Sequence, residues 1–170
     1  GRAGKERSAE KTAFEHNLQN DERWMRSALE EARRAFDEGE VPVGAVVVRD
    51  GIVIGKGHNQ IENLKDATAH AEMIALTQAA SYLESVRLLD TTVYATIEPC
   101  AMCAGAMVLG RVKRLVFGAA DPKTGAFGSA LDLNKLKLNH KITVTNGVLE
   151  EACAALLKEF FRKKRILSGT

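Results

Sequence analysis

Residues 96–103 are Thr96-Ile97-Glu98-Pro99-Cys100-Ala101-Met102-Cys103, and they join a predicted strand to a predicted helix. The strand, residues 92–97, is mostly β-branched or aromatic, a composition typical of β-structure. Pro99 favours a helix start directly after it, because a proline near the first turn loses no hydrogen bond that would otherwise form. Cys100 and Cys103 then lie on one face of that helix. The segment predicts an α/β fold with two thiols where a strand meets a helix.

His70, with Glu72 two residues later, supplies the other half of the predicted site. One histidine and two cysteines are a common catalytic ligand set for zinc, and they leave the fourth position to water. Residues two apart do not face each other inside a helix, so we expect His70 at the edge of its helix and Glu72 in the first turn. Glu72 can then move protons to and from that water without being a ligand.

Each part of this pattern has a simpler interpretation. Cys-x-x-Cys is also the pattern of a redox pair of the thioredoxin type, and a lone histidine is usually an ordinary buried one. Cys153 could complete a structural zinc site with four ligands, although it lies on the apolar stripe of a predicted C-terminal helix, where a small buried thiol needs no further role. The combination of His-x-Glu with Pro-Cys-x-x-Cys favours the catalytic interpretation.

The combined motif, His70-Ala71-Glu72 with Pro99-Cys100-Ala101-Met102-Cys103, resembles that of the zinc nucleobase deaminases. The closer resemblance is to the bacterial tRNA-specific adenosine deaminases, and it extends over about residues 21–165. The segments that carry it are residues 40–46, 57–59, 68–72, 98–100, 117–119 and 138–140.

This resemblance implies a fold, a reaction and partners. The fold is the cytidine-deaminase-like three-layer α/β/α architecture, a mixed sheet of about five strands flanked by helices. The reaction is zinc-dependent hydrolytic deamination of adenosine to inosine at wobble position 34 of a tRNA anticodon, on a base extruded from its stack. One Zn²⁺ per subunit is held by His70, Cys100 and Cys103, Glu72 is catalytic, and the protein is a homodimer that binds the anticodon stem-loop.

The same resemblance implies contacts outside the metal motif. Asn59 is expected to reach the substrate nucleoside, although an isolated loop asparagine more often satisfies backbone groups. The predicted substrate contacts are Asn59, Val43, Ala71 and Pro99. The predicted RNA contacts are Asp121, Lys123, Asn139, Phe160, Phe161 and Arg162. For the basic end of the last helix, an equally ordinary interpretation is that its cations complement the helix dipole.

Composition sets broad limits on the class of protein. The 170 residues, 45% hydrophobic and 27% charged, are enough for one globular domain. No apolar run approaches the roughly 18 residues of a membrane span, and no secretory signal pattern opens the sequence. Three cysteines, two of them in the metal motif, predict no disulfide framework and a reducing, cytoplasmic location. A net charge of +2 neither requires nor excludes nucleic acid.

We predict three regions: a polar, disordered tail over residues 1–20, a zinc deaminase domain over 21–165 and a C-terminal tail over 166–170. Apolar spacing predicts a helix from Asn20 or Asp21 to Gly39. The further predicted helices are residues 70–82, 100–109 and 150–165, and the further predicted strands are 43–48, 52–56, 115–118 and 142–145. Residues 119–130 form a glycine-rich loop.

Two other functions compete with the tRNA hypothesis. The same zinc chemistry serves deaminases of free bases or nucleosides such as cytosine, cytidine or guanine. A protein without enzymatic activity could instead bind RNA around a structural zinc.

Overall fold

The computed structural model describes residues 2–169, which fold into one five-stranded sheet between two layers of helices. The strands are β1 (Gly44–Arg49), β2 (Ile52–His58), β3 (Thr92–Ile97), β4 (Arg114–Ala119) and β5 (Thr143–Thr145). The helices are α1 (Arg2–Asp37), α2 (Ile61–Leu64), α3 (Ala71–Leu83), α4 (Ala101–Leu109) and α5 (Glu150–Ser168), with a 3-10 helix at Leu133–Lys135.

The sheet is mixed, as predicted, with the strand order β2-β1-β3-β4-β5. Strand β1 runs antiparallel to β2 and β3, whereas β3, β4 and β5 are mutually parallel. Ala95 in β3 pairs with Ala45 on one side and with Phe117 on the other. The carboxyl ends of β3 and β4 therefore meet at one edge, and the chain enters α4 from that edge.

Alternation along the strands divides the core into two layers. Ala45 and Val47 face a cluster that includes residues of α3 and α4. Val46 and Val48 face the opposite cluster, which contains residues of α1 and α5. Because successive side chains of a strand point to opposite faces, both faces of β1 are buried and apolar. The three-layer α/β/α prediction is confirmed.

Close backbone contact sets the position of α3 against β2. A Cβ atom at Gly57 would lie 2.5 Å from the carbonyl oxygen of Ala71, so only glycine lets the first turn of α3 approach this strand. The contact holds the amino end of α3 beside the carboxyl end of β2.

Helix α1 is longer than predicted. It begins at Arg2, so the predicted start at Asn20 or Asp21 is wrong, and residues 2–20 are helical where an irregular tail was expected. These residues contain no proline and many good helix formers, mainly alanine, glutamate, lysine and arginine, so an established helix can continue through them. Residues 2–19 are all exposed, and Gly1 lies outside the described residues.

Helix α5 also extends beyond its predicted end at Arg165, to Ser168. Most of the expected C-terminal tail is therefore the last turn of a helix, which Gly169 ends in the left-handed conformation at φ 73°. Thr170 lies outside the described residues. Helix α2 and the 3-10 helix were not predicted, and β2 continues to His58, where a loop was expected to begin at Gly57. The other boundaries agree with prediction to within two residues.

Candidate active site

Three potential metal ligands meet where α3 and α4 begin. The Nδ1 atom of His70 lies 3.6 Å from the Sγ atoms of both Cys100 and Cys103. Within residues 2–169, these three side chains are the one group of three or more His, Cys, Asp or Glu residues that could hold a metal ion, with ligand atoms all within 4.8 Å of one another. The predicted ligand set is therefore assembled in space.

Helix starts place each ligand. His70 is the N-cap of α3, with extended backbone angles, and Glu72 lies in the first turn. Cys100 is the N-cap of α4, and Cys103 lies in its first turn. Both helix starts confirm the prediction from residue spacing, except that α4 begins one residue after Cys100. The unpaired N–H groups and the dipole at a helix start favour negative charge there, which suits thiolate ligands.

The pKa values of the two thiols shift in opposite directions. Hydrogen bonding from the Cys103 thiol, followed by the contact with His70, lowers the pKa of Cys100 to about 4. The hydrogen bond to Cys100, followed by burial, raises the pKa of Cys103. The contact with Cys100 raises the pKa of His70. The low pKa of Cys100 favours a thiolate at neutral pH. Cysteines bind metal ions as thiolates, so this shift prepares Cys100 for a cation.

Glu72 is the carboxylate of the site, and it is only 3% exposed. Burial raises the pKa of Glu72, since an ionised carboxylate is poorly solvated there. Within residues 2–169, Glu72 Oε1 is the only buried side-chain oxygen or nitrogen without a hydrogen-bond partner. Buried polar atoms are nearly always satisfied, so a molecule that enters the cavity is expected to supply the missing donor.

These features together fit a metal centre. The imidazole and two sulfurs are a donor set that suits zinc, and Cys100 is readily ionised. Glu72, which carries the unpartnered oxygen, lines the same cavity of about 220 Å³ as His70 and Cys100. The residues can therefore hold a metal and, beside it, a group that needs a proton acceptor.

Residues 19–165 match the family model of the MafB19-like deaminases. The chain belongs to this deaminase family. A curated tRNA-specific adenosine deaminase of Haemophilus influenzae is 52% identical over 147 residues, which are 85% of this chain and 85% of that protein.

Two solved structures share the fold of this deaminase. One, from a study of A-to-I editing by tRNA:A34 deaminases at the wobble position, has a TM-score of 0.76 and 41% identity, covering 79% of this chain and 98% of that one. The other is a guanine deaminase of Nitrosomonas europaea, with a TM-score of 0.69 and 31% identity, covering 82% of this chain and 83% of that one. The similarity is greater to the tRNA:A34 deaminase.

The cavity of the deaminase contains two of the four predicted substrate contacts. Asn59 and Val43 line it, together with the predicted metal ligands His70 and Cys100. The side-chain oxygen of Asn59 accepts a hydrogen bond from the backbone N–H of Ala71 at 2.9 Å. That bond fixes the orientation of the amide, and the NH₂ group is left to donate elsewhere.

The other two predicted substrate contacts, Ala71 and Pro99, have backbone partners within the protein. The Ala71 N–H donates to Asn59, and the Pro99 carbonyl accepts from the Ala126 N–H at 2.8 Å. Neither residue is among those that line the cavity. In this structure they position its walls.

The predicted RNA contacts separate into two groups. Asp121 lines the cavity and, with Lys123 and Phe161, also lines an adjoining cavity of about 340 Å³. Asn139 instead accepts a hydrogen bond from Arg111 at 3.4 Å. Because Arg111 follows the last turn of α4 and Cys100 precedes the first turn, Asn139 lies at the far end of this helix from the metal ligands.

The aromatic pair at the end of α5 has one buried and one accessible member. Phe160 is 8% exposed, and its ring packs edge-on against Phe36, with centroids 5.8 Å apart. It therefore offers little surface for stacking with a base, in contrast to the prediction. Phe161 is 43% exposed. Arg162 is exposed and forms an ion pair with Glu159 at 2.7 Å.

Several residues of the cavity escaped the sequence analysis. Thr124, Val41, Ile61 and Ile97 line it. Thr124 lies in the glycine-rich loop beside Asp121, and the side chain of Asp121 accepts hydrogen bonds from the backbone N–H and the hydroxyl of Thr124. An Asp-x-x-Thr pattern in a loop is typical of such a turn, and this signal could have pointed to Thr124.

The simpler interpretations of the cysteines do not fit this arrangement. Cys153 packs in the cluster of α1 and α5, on the other side of the sheet from α4, so it cannot be a fourth ligand. Cys100 and Cys103 are free thiols that both contact His70, and a redox pair does not explain the buried, unpartnered oxygen of Glu72.

None of the helices within residues 2–169 has the length and apolar character that a membrane span requires.

Proposed function

We propose that this deaminase converts adenosine to inosine at wobble position 34 of a tRNA anticodon. The observation that carries the proposal is the buried oxygen of Glu72 without a protein partner, on a residue that lines one cavity with His70 and Cys100. Greater identity to tRNA-specific adenosine deaminases, 52% against 31% for a guanine deaminase, favours adenosine in tRNA over a free base. Such a substrate places the enzyme in the cytoplasm.

The proposed cofactor is one zinc ion per subunit, held by His70, Cys100 and Cys103. When bound, zinc supplies a nucleophile at neutral pH by lowering the pKa of a coordinated water toward about 7. The low pKa of Cys100 supports this assignment, since thiols must lose their protons to bind a metal.

Glu72 is the proposed carrier of protons. In the hydrolysis, a bond forms between C6 of adenine and the oxygen of water, and the bond between C6 and its amino nitrogen breaks. Glu72 takes protons from the attacking water and delivers one to N1 and one to the departing amine, which leaves as ammonia. Burial raises the pKa of Glu72, so the carboxyl can hold a proton between these two transfers.

Asn59 is the proposed anchor for the purine. Its oxygen is already occupied by the Ala71 N–H, so the NH₂ group is the part of the amide that can donate to a ring nitrogen of adenine. Val43 forms an apolar part of the same wall. The hydrogen bond from Ala71 already holds the Asn59 side chain in place. Its NH₂ group can therefore bind the base without a further loss of side-chain entropy.

The RNA is proposed to reach the site as an extruded base. The cavity of about 220 Å³ is smaller than the range of about 300–1,000 Å³ typical of drug-sized ligands, and it suits a single base. Lys123 and Phe161 in the adjoining cavity can contact a phosphate and a neighbouring base, because RNA-binding proteins stack bases on aromatic rings. Arg162 can contact the backbone by exchanging its exposed partner Glu159 for a phosphate.

A homodimer remains part of the proposal. Tyr82, Val86 and Leu109, near the carboxyl ends of α3 and α4, are more than half exposed, and they are the apolar side chains that the proposed interface would cover. Light scattering of the purified protein is expected to give twice the chain mass, and a monomeric mass at micromolar concentration would contradict this expectation.

Inosine formation tests the function directly. The zinc-loaded protein is incubated with an anticodon stem-loop carrying A34, and inosine is measured by mass spectrometry. Ammonia release is measured in parallel with free adenosine, cytidine and guanine. We expect turnover on the stem-loop and a loss of about 10²–10⁴-fold in Glu72→Gln, with zinc content unchanged. Turnover confined to the free bases or nucleosides would refute the tRNA substrate, and binding without any turnover would favour a non-catalytic RNA-binding protein.

A further inference from the structure

Glu98 is a buried carboxylate that the proposed chemistry does not use. It lies between the end of β3 and Cys100, the N-cap of α4, and it is only 3% exposed. Its backbone N–H donates to the Ala119 carbonyl at 2.8 Å. The backbone of Glu98 is thus fixed to the end of β4, and its side chain extends from a rigid base.

Four donors from residues 121–129, here called the wall loop, surround this carboxylate. Oε1 accepts from the Asp121 N–H at 3.2 Å and from the Ser129 hydroxyl. Oε2 accepts from the Phe127 N–H at 3.0 Å and from the Ser129 N–H at 3.2 Å. Hydrogen bonds to an ionised acceptor are among the stronger ones in proteins. Glu98 therefore joins both ends of the wall loop to a single point.

Gly125 allows the wall loop to close around the carboxylate. A Cβ atom there would lie 2.3 Å from Cδ and Oε2 of Glu98 and 2.6 Å from the Asp121 carbonyl oxygen. No larger residue fits without moving the loop. The Ala126 N–H adds a bond to the Pro99 carbonyl at 2.8 Å, so the loop is also held beside the Cys100 ligand.

The wall loop matters because Asp121 and Thr124, together with Glu98 itself, line the cavity that contains Glu72. Lys123, between them, lines the adjoining cavity with Phe161. We propose that Glu98 is a positioning residue, which fixes the wall loop so that it forms one side of the substrate cavity without touching the reacting atoms. This proposal rests on the proposed function only for the identity of the substrate.

The inference separates two roles for a carboxylate near a metal ligand. If Glu98 holds the wall loop, its removal loosens substrate binding and exposes the loop, while the metal stays bound. If Glu98 supports Cys100, its removal releases the metal. If Glu98 only stabilises the fold, its removal lowers the melting temperature and leaves the KM of the folded fraction unchanged.

Limited trypsin digestion of the zinc-loaded protein at 25 °C tests the loop directly, without substrate. The rate of cleavage after Lys123 is followed by mass spectrometry. We expect Glu98→Ala to raise this rate and the KM for the stem-loop, each by about 10–100-fold, the effect of losing hydrogen bonds to a charged group, with a smaller change in kcat and an unchanged zinc content. Glu98→Gln should lie between, since one acceptor oxygen remains and the Ser129 hydroxyl can reverse to accept from the new NH₂ group.

Two further variants guard against misfolding. Gly125→Ala places a methyl group against the Glu98 carboxylate and so disrupts the same contact by a change in the loop. It should reproduce the rise in the rate of cleavage after Lys123. Asp21→Asn is the matched control, because Asp21 is a buried carboxylate in α1 that contacts Tyr94 and Arg114 instead of the wall loop. It should lower the melting temperature and leave Lys123 cleavage and KM near wild type.

Cleavage at wild-type rates in both Glu98→Ala and Gly125→Ala would overturn the proposal. So would loss of zinc in Glu98→Ala with a protected loop. Failure of the wild type to deaminate the stem-loop would refute the proposed substrate alone, because the proteolysis result does not depend on turnover.

Discussion

The Nδ1 atom of His70 lies 3.6 Å from the Sγ atom of Cys100, although 30 positions separate the two residues. The contact arises because two helices begin at the same edge of the sheet. Both residues are N-caps, where the backbone is extended and the side chain is not committed to a helix face. The predicted metal site is thus a consequence of where α3 and α4 begin relative to the sheet.

Removing one of these ligands should release the metal and destabilise the fold. We expect Cys100→Ala to lose bound zinc and to melt at a lower temperature. A metal ion that binds only the folded state raises the free energy of unfolding by about 4 kcal/mol at a concentration 1,000 times its dissociation constant. Elemental analysis and calorimetry measure the two effects. Cys153→Ala is the control and should retain zinc, and full zinc occupancy in Cys100→Ala would contradict the ligand assignment.

The sequence identifies the chemistry of the site well because ligands and helix starts are local patterns. His70, Glu72 and Cys100 could be placed on their elements from spacing alone, and the structure confirms those placements. The four hydrogen bonds of Glu98 join residues 23 to 31 positions apart, and such contacts leave no periodic signal. Phe160 was misjudged for a related reason: its burial depends on Phe36, a residue of another helix.

The amino-terminal part of α1 is expected to be dispensable. Residues 2–19 are exposed throughout, and the family match begins at residue 19. Deletion of residues 1–19 should change the free energy of unfolding by less than about 0.5 kcal/mol and leave turnover unchanged. Urea unfolding and the inosine assay measure both, and a large loss of either would show that this segment packs on the domain or on the RNA.

A slightly longer deletion should behave very differently. Asp21 is buried, and its carboxylate accepts from the Arg114 guanidinium at 2.8 and 2.7 Å and from the Tyr94 hydroxyl at 2.9 Å. Deletion of residues 1–24 leaves the partly exposed guanidinium of Arg114 without its partner and the Tyr94 hydroxyl without its acceptor, a loss that costs about 1–3 kcal/mol. Equal stability of the two truncated proteins would contradict this role of Asp21.

Alkaline pH should weaken the fold through Cys153. Burial raises the pKa of this thiol from 9.0 to about 12, so the folded protein binds the proton more tightly than the unfolded chain. The resulting stability is complete below pH 9 and is lost as the pH rises toward 12, with a slope of up to about 1.4 kcal/mol per pH unit. Cys153→Ala lacks this slope.

Urea unfolding of both proteins between pH 8 and 10.5 isolates the contribution of the thiol, because all other titrating groups are common to the pair. The wild type should lose about 1–2 kcal/mol more than Cys153→Ala over this range. Parallel pH profiles would mean that the thiol ionises equally well in the folded and the unfolded protein.

The two neighbouring phenylalanines of α5 should separate stability from RNA binding. Phe160 is buried against Phe36, so Phe160→Ala should cost about 3–5 kcal/mol of folding free energy and leave the affinity of the folded protein near wild type.

Phe161 is partly exposed beside Lys123. Phe161→Ala should cost less than about 1 kcal/mol in stability and weaken stem-loop binding by about 1–3 kcal/mol, the worth of one stacked base. Fluorescence anisotropy with a labelled stem-loop and thermal melting give both values for each variant. Unchanged affinity in Phe161→Ala would show that this ring does not contact the RNA. Lys123 and Arg162 would then be the remaining proposed RNA contacts near α5, because a cation can bind a phosphate without an adjacent stacking partner.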